Sequence, residues 1–156
     1  MIRAALAAVA LTLAAGPLLA EACRDDRVGL RGPWGEARFT VEIADDSQSQ
    51  QQGLMHREHL AQNAGMLFVY DSPQHARFWM RNTLIPLDMI FADPTGRVTR
   101  VHHNARPLDE TVIDGGPGIS HVLEINGGMA KAVGISVGDA LQHPTIAPEQ
   151  ALWPCE

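Results

Sequence analysis

"FWMRNTLIPLDMIF", residues 78–91, packs Trp, Met, Phe, Leu and Ile side chains densely around a few polar residues. Aromatic and branched apolar residues in short runs bounded by turn signals are typical of strands. Pro86 interrupts the run, because proline lacks the amide hydrogen that a strand inside a sheet donates. We therefore predict two strands, residues 78–83 and 87–92, that meet at a kink.

Five further segments have the length, the apolar alternation or the turn boundaries of strands. They are residues 39–43, 65–70, 97–103, 121–126 and 140–142. Two short helices are predicted, one from Gln48 to about Gly53 and one at residues 128–133, with Gly134 as its C-cap. Residues 105–119 are rich in Pro, Gly and Asp and are predicted to form the longest loop.

Turns, and not long helical connections, join most of the predicted strands, which favours antiparallel pairing. We predict a mainly β fold: a compact antiparallel β-sandwich or partly open barrel with one or two short helices. Residues 39–142 are predicted to form this single β-rich domain. Residues 23–38 are interpreted as a loop-like N-terminal lead-in and residues 143–156 as a proline-rich C-terminal tail.

The first 22 residues have the parts of a secretory signal peptide. A short basic start precedes an apolar run, and Ala20-Glu21-Ala22 offers small residues at the two positions that a signal peptidase recognises. The apolar run is shorter than the roughly 20 residues of a membrane-spanning helix. We therefore predict that residues 1–22 are cleaved and that the mature protein is periplasmic or secreted, with no stable membrane span.

Two cysteines, Cys23 and Cys155, lie at the two ends of the predicted mature chain. An even number of cysteines in an oxidising compartment favours a disulfide, and the termini of a domain often lie close together. Two alternatives stay open at this stage. Cys23 is lipid-anchored in one of them, although Glu21 is unlike the small uncharged residues of a lipid-attachment site, and both thiols are free in the other.

Charge and histidine spacing argue against several classes of function. The net charge is −6 and the Lys and Arg residues are not clustered, so we expect no nucleic-acid partner. His102 and His103 are adjacent in a predicted strand and point to opposite faces, while His56 and His59 lack a clear third ligand. We therefore expect no metal and no cofactor.

Three long phrases stand in the same order as in a known family. They are QGLMHREHLAQNAGMLFVY, FWMRNTLIPLDMIF and VLEINGGMAKAVGISVGDAL, between Phe39 and Leu141. In them the chain resembles the bacterial and archaeal family called domain of unknown function 192. The resemblance implies a compact β-rich domain, frequently behind a signal peptide. It implies no activity, and it does not include the two cysteines.

Four polar residues sit inside or beside apolar blocks: Arg57, Asn82, Asp88 and Glu124. A buried charge costs several kcal/mol unless it is paired, so these groups need partners. In the first interpretation they line one polar pocket in which arginine binds an anionic group. In the second, Arg57 pairs with Asp88 or Glu124 as an internal salt bridge.

Trp79 is the fifth candidate, because strand alternation places it and Arg81 on one face and offers an aromatic surface for a ligand. We predict an exported small domain that binds a small polar or anionic ligand, or an envelope protein partner, through these five residues. One alternative is a hydrolase-like enzyme that uses Asp88 and Glu124 with Arg57. Another is a purely structural or interaction domain. No catalytic motif favours the enzyme.

Overall fold

The computed structural model of the protein describes residues 23–155, and the predicted signal peptide, residues 1–22, lies outside them. The elements are β1 (Arg27–Gly32), β2 (Gly35–Ala44), α1 (Ser47–Gln52), β3 (Ala64–Phe78), β4 (Leu87–Ala92), β5 (Val98–Ala105), β6 (Ile113–Asn126), α2 (Met129–Val133) and β7 (Ala140–Gln142). The predicted mainly β fold with short helices is confirmed. Within residues 23–155 no helix has the length and apolar character needed to cross a membrane.

The seven strands of residues 23–155 belong to one curled sheet with the order β5-β4-β6-β3-β2-β1-β7. Neighbouring strands are antiparallel except β2 and β3, which run parallel. The two ends of the sheet approach each other: Arg97, just before β5, bridges Ala140 of β7, and the Leu141 amide donates to the Gly96 carbonyl at 2.7 Å. The fold is therefore a half-barrel, and not two stacked sheets.

Each face of the sheet carries its own hydrophobic core, because successive side chains of a strand point to opposite faces. The inner core contains Leu67, Ile90, Leu123 and Ile125 and is covered by Ala130 of α2. The outer core is defined by other residues of the same strands. Its members include Met66, Phe68, Met89, Phe91 and Val122, together with Leu54 after α1 and Met80 after β3.

The predicted loop at residues 105–119 is wrong from Ile113 onward, where β6 begins. The glycines of this segment allow close packing and curvature within a strand. A Cβ on Gly115 would lie 2.3 Å from the Phe91 ring, and Gly116 has a φ of +87° beside the register shifts that bend β6 along β3. A glycine inside a strand marks such a close approach or a bulge, so a composition typical of loops belongs here to a curved strand.

Two other segments differ from their predictions. The region interpreted as a loop-like lead-in contains β1 and the start of β2, which pair across a tight turn between Gly32 and Gly35. The predicted strand at residues 78–83 is wrong after Phe78, where β3 ends. Asn82 has a φ of 54°, in the left-handed region that a strand cannot include, so the chain leaves the sheet at this point.

The ends of the described chain are joined by a disulfide between Cys23 and Cys155, whose Cα atoms are 5.6 Å apart. The predicted disulfide is thereby confirmed over the lipid-anchored and free-thiol alternatives. The tail is also held by Trp153, which is buried beneath the Arg31 guanidinium at 4.2 Å from the ring centroid. The Gln142 amide donates to the Pro154 carbonyl at 2.8 Å, so the tail packs as part of the domain.

Replacing both cysteines by serine is expected to lower the free energy of unfolding by about 5 kcal/mol, because the disulfide closes a very long loop in the unfolded chain. Urea unfolding of the variant and the oxidised wild type measures this difference. Thiol titration in denaturant is the control, with no reactive thiol expected in residues 23–155 of the oxidised protein. Equal urea midpoints would contradict the stabilising role.

Candidate functional site

A cleft of about 680 Å³ opens on the outer face of the sheet. One wall comes from α1 and the turn after it, through Ser47 and residues 50–55. The opposite wall comes from β3 and from the segment that follows it, Trp79 to Thr83, and Glu124 of β6 lies at the floor. A cleft of this volume is within the range that binds small molecules.

Glu124 is the buried acid of the cleft, with a relative exposure of 4%. Its neighbours in register are Met66 on β3 and Met89 on β4, so a thioether side chain flanks it on each side. Among residues 23–155, no hydrogen-bond donor or cation shifts its titration, and burial alone raises the pKa of Glu124 from 4.5 to about 8. Because desolvation disfavours the charged form, the side chain is mostly a neutral carboxylic acid at pH 7.

Tyr70 lies near this acid on β3. Burial raises the pKa of the Tyr70 phenol to about 12, the charge of Glu124 adds to the rise, and a hydrogen bond with Gln74 opposes it. The phenol therefore keeps its proton throughout the neutral range. Together, Tyr70 and Glu124 offer two neutral O–H groups beside the floor of the cleft.

Aromatic side chains form the apolar part of the cleft. Phe78 makes edge-to-face contacts with Phe68, at 5.1 Å between ring centroids, and with Phe91, at 5.8 Å. These contacts hold Phe78 against the outer core. Trp79 is 44% exposed, and the Arg81 guanidinium lies 5.4 Å from the centroid of its ring. The cleft thus presents an exposed aromatic surface beside a cation.

The polar part of the cleft is dominated by carboxamides. Gln50, Gln51 and Gln52 of α1 line it together with Gln74 and Asn82. The Gln50 amide nitrogen donates to two backbone carbonyls of the sheet, at 3.3 and 2.9 Å, and thereby fixes α1 in place. Gln51 and Gln52 remain at the surface of the cleft.

The segment after β3 is held in an unusual backbone conformation. Its Asn82 carbonyl accepts from the His56 amide at 2.8 Å, and its Thr83 carbonyl accepts from the Leu108 amide at 3.1 Å. All three of His56, Asn82 and Leu108 have positive φ values, of 63°, 54° and 62°. Residues in such conformations cost about 1–3 kcal/mol each and cluster at functional sites.

The structure brings three of the five predicted binding residues to the cleft: Trp79, Asn82 and Glu124. Arg57 does not line it. Its guanidinium instead forms two hydrogen bonds with the Glu42 carboxylate, at 2.5 and 2.6 Å. The internal salt bridge that the sequence suggested, from Arg57 to Asp88 or Glu124, is therefore replaced by a half-exposed pair with Glu42.

Asp88 is fully buried on the other face of the sheet. Its carboxylate accepts from three backbone amides: Asn104 at 2.6 Å, Gly128 at 2.9 Å and Ala130 at 2.7 Å. It joins β5 and the start of α2 to β4. Asp88 is paired in register with Ile125, one residue beyond Glu124, so the two carboxyl groups point to opposite faces and do not share a substrate.

Sequence reasoning missed several residues of the cleft, namely Gln51, Gln52, Tyr70 and Arg77. The glutamines were interpreted only as helix formers, although α1 buries none of its side chains. An uncharged polar helix with no buried face was the available signal. Arg77 lies where β-bulges interrupt the alternation of β3, so its face was not predictable.

Within residues 23–155 no group of three or more His, Cys, Asp or Glu side chains is arranged to hold a metal ion. In this part of the chain His102 has a pKa lowered mainly by burial, and His121 has a pKa lowered by burial to about 4. The polar groups at the cleft are neutral acids, carboxamides and arginines. Their chemistry suits an organic ligand with oxygen acceptors and negative charge.

Replacing Asp88 by asparagine is expected to lower the free energy of unfolding by about 3 kcal/mol, because an amide nitrogen would then face backbone N–H groups. Urea unfolding measures this loss. Asp45→Asn, at an exposed position, is the matched control and should leave stability unchanged. An Asp88→Asn variant as stable as wild type would contradict the structural role of this carboxylate.

The stability of the wild type is expected to fall between pH 6.5 and 8 by up to about 1.4 kcal/mol per pH unit, because the unfolded chain releases the Glu124 proton while the folded chain retains it. This stabilisation is fully present below pH 4.5 and is lost as pH rises through the folded pKa of about 8. Below pH 6.5, buried His121 has the opposite effect, since its folded pKa is about 4.

Glu124→Gln should remove this slope, while Glu149→Gln, an exposed control, should retain it. Urea unfolding at several pH values between 6.5 and 8 compares the three proteins. Equal slopes in wild type and Glu124→Gln would show that the carboxyl is already ionised in the folded protein.

Comparison with known proteins gives a family and a shared structure. The family model of domain of unknown function 192, described as "Uncharacterized ACR", matches residues 31–143. One similar crystal structure is a protein of unknown function from Novosphingobium aromaticivorans, 43% identical, covering 74% of this chain and 82% of that chain, with a TM-score of 0.72. No curated protein matches the chain.

A second similar crystal structure is a candidate transcription regulator from Sinorhizobium meliloti. It is 39% identical, covers 77% of this chain and 94% of that chain, and has a TM-score of 0.72. The family model covers all the residues that line the cleft. The chain belongs to the family called domain of unknown function 192.

Proposed function

We propose that this protein is an exported domain that binds a small polar ligand with an anionic group in the cleft above Glu124. One observation carries the proposal: a buried carboxyl group, flanked by Met66 and Met89, lies at the floor of an open cleft. Within residues 23–155 its pKa shift has burial as its only cause, so no partner offsets the cost.

A structural carboxylate in this protein looks different. Asp88 is as deeply buried and its oxygens accept three backbone hydrogen bonds. Burying a polar group without such compensation costs at least about 1 kcal/mol, and an apolar side chain between the two methionines would avoid that cost. A ligand that forms a hydrogen bond with Glu124 supplies the missing partner.

The cations of the cleft favour an anionic ligand. Arg77 and Arg81 both line it. Arg81 lies 3.9 Å from an exposed Glu110 carboxylate, whereas within residues 23–155 no carboxylate lies within ion-pair distance of Arg77. Arginine binds carboxylates and phosphates through two parallel hydrogen bonds, which gives both affinity and orientation.

Export is part of the same proposal. The signal-like sequence of residues 1–22 supports it, and so does the Cys23–Cys155 disulfide, since such bonds persist mainly in oxidising compartments. Mass spectrometry of the protein recovered from the periplasm or the medium tests this, with a mature chain that begins at Cys23 expected. An unprocessed chain confined to the cytoplasm would contradict it.

An envelope protein is the second candidate ligand. Four large apolar side chains are exposed in the segments that flank the cleft, and together they offer a surface for another protein. They are Trp79, Leu84, Leu108 and Val112. A photo-crosslinking residue at position 108 should then trap one partner in cells, while the same residue at the exposed position 137 should not.

The binding test uses a panel of small carboxylates, phosphates, amino acids and sugars, with thermal stabilisation as the readout. Gln51→Trp, at the wall of the cleft, should abolish stabilisation by any compound that binds there. Gln48→Trp is the matched control, because Gln48 belongs to the same helix but does not line the cleft. Stabilisation that is equal in both variants, or no stabilisation at all, would contradict the proposal.

A further inference from the structure

Building on the proposed function, we propose that the ligand is an acidic sugar: a pyranose that carries a carboxylate. Arg77 binds the carboxylate, Glu124 donates a hydrogen bond to a ring or hydroxyl oxygen, and the carboxamides of α1 and Asn82 bind the other hydroxyl groups.

Arg77 is the cation best placed for the carboxylate. It lies on β3 opposite Asp114 in register, but the Asp114 carboxylate is already engaged. One of its oxygens lies 2.7 Å from the His75 ring nitrogen and accepts from the Gly116 amide at 2.7 Å. The Arg77 charge also helps to lower the pKa of Asp114, after the hydrogen bonds from His75 and Gly116, but no ion pair joins the two side chains within residues 23–155. The Arg77 guanidinium lines the cleft, where it can bind an anion.

Glu124 acts as a donor because it is protonated. Its pKa of about 8 keeps the proton on the carboxyl at neutral pH, so the group requires an acceptor oxygen on the ligand. A neutral ring, hydroxyl or carbonyl oxygen meets this requirement. A second carboxylate of the ligand would meet it less well, since it would have to lie in the desolvated floor.

In the described part of the chain, residues 23–155, few charged or titratable groups lie near Glu124. Tyr70 and Arg77 face the cleft from β3, and Arg81 faces it from the following segment. Across Met89 on β5 lies His102, whose pKa is lowered mainly by burial, so it is neutral above pH 6.5. The residues of α1 contribute no titratable group. Between pH 6.5 and 9, Glu124 is therefore the group whose ionisation changes at the floor.

The carboxamides favour a sugar over other anions. Gln51, Gln52 and Asn82 line the cleft, and within residues 23–155 no hydrogen bond engages their side chains. Each carboxamide has an acceptor and two donors side by side, which matches a pair of neighbouring hydroxyl groups. A simple carboxylate or phosphate would leave most of these groups without partners.

The aromatic side chains of the cleft offer a contact surface for the pyranose ring. Trp79 is largely exposed beside Phe78, and both line the cleft. The negative face of an aromatic ring attracts the slightly positive C–H groups on one face of a pyranose. Aromatic side chains, carboxamides and an arginine without an ion pair thus line one cleft, and these groups match the C–H face, the hydroxyl groups and the carboxylate of an acidic pyranose.

Isothermal titration of the mature protein with D-glucuronate and D-galacturonate tests the proposal. D-glucose and D-galactose are the uncharged counterparts, and succinate is the carboxylate without a sugar ring. At least one uronate should bind at least about tenfold more tightly than its neutral counterpart, because a charge-assisted hydrogen bond contributes about 1.5–3 kcal/mol. Arg77→Gln should remove this preference, whereas Lys131→Gln, an exposed control on α2, should retain it.

The pH dependence provides a second readout. Uronate affinity should fall about tenfold between pH 6.5 and 9, because only the protonated fraction of Glu124 is competent to bind. Glu124→Gln keeps a neutral donor at the same place, so its affinity should be nearly constant over this range. Arg77→Gln changes an exposed residue and leaves the fold intact, which keeps the test independent of any effect of the Glu124 variant on folding.

The outcomes separate the two proposals. If succinate or another anion binds in the cleft and neither uronate does, the acidic sugar is overturned and the binding cleft stands. Equal affinity for a uronate and its neutral counterpart, or an affinity unchanged in Arg77→Gln, also overturns the acidic sugar. If no compound of either panel binds, or if Gln51→Trp leaves the binding of every compound unchanged, both proposals are overturned.

Discussion

The alternation of side chains along β6 is the constraint on which the cores on both faces of the sheet depend. This strand lies between β4 and β3 in the middle of the sheet, and its side chains point alternately into the inner and the outer core. Leu123 and Ile125 enter the inner core, whereas Val122 and Glu124 face the outer side. A shift of register by one residue would exchange all of them, so the hydrophobic pattern of β6 holds Glu124 at the cleft.

The same constraint separates the two buried acids. Asp88 faces the inner side, where the amides at the start of α2 and at Asn104 surround its carboxylate. Glu124 faces the outer side between two methionines. The Asp88 carboxyl accepts three hydrogen bonds and connects three elements, whereas within residues 23–155 burial is the only cause of the raised pKa of Glu124. A structural role therefore explains Asp88, whereas the partner of Glu124 is supplied by the ligand that we propose.

Much of the fold was predictable from local patterns. The strand at residues 87–92, the helix that ends at Gly134 and the bond between Cys23 and Cys155 follow from composition, capping and compartment. The start of β6 was not predictable, because Gly115 and Gly116 carry a loop composition. Gly115 is required by the Phe91 ring and Gly116 by its positive φ at the bend of the strand, and both conditions arise only in the folded sheet.

The candidate site was predictable in part for a similar reason. A polar residue inside an apolar block must have a partner or a ligand, and this argument selected Glu124, Asn82 and also Asp88. It did not tell which face each side chain occupies, since that depends on the pairing of strands distant in sequence. The same argument did not select Gln51 and Arg77, which line the cleft only because α1 folds back across β3.

The proposed binding cleft depends on Glu124 being a neutral acid at its floor. The most direct measurement is the chemical shift of its carboxyl carbon by NMR, followed from pH 4 to 10 in protein labelled with carbon-13 at glutamate, with Glu124→Gln to assign the signal. A midpoint near pH 8 is the predicted result. A midpoint near the ordinary glutamate value of about 4.3 would contradict the account, because the carboxyl would then be solvated and ionised in the folded protein.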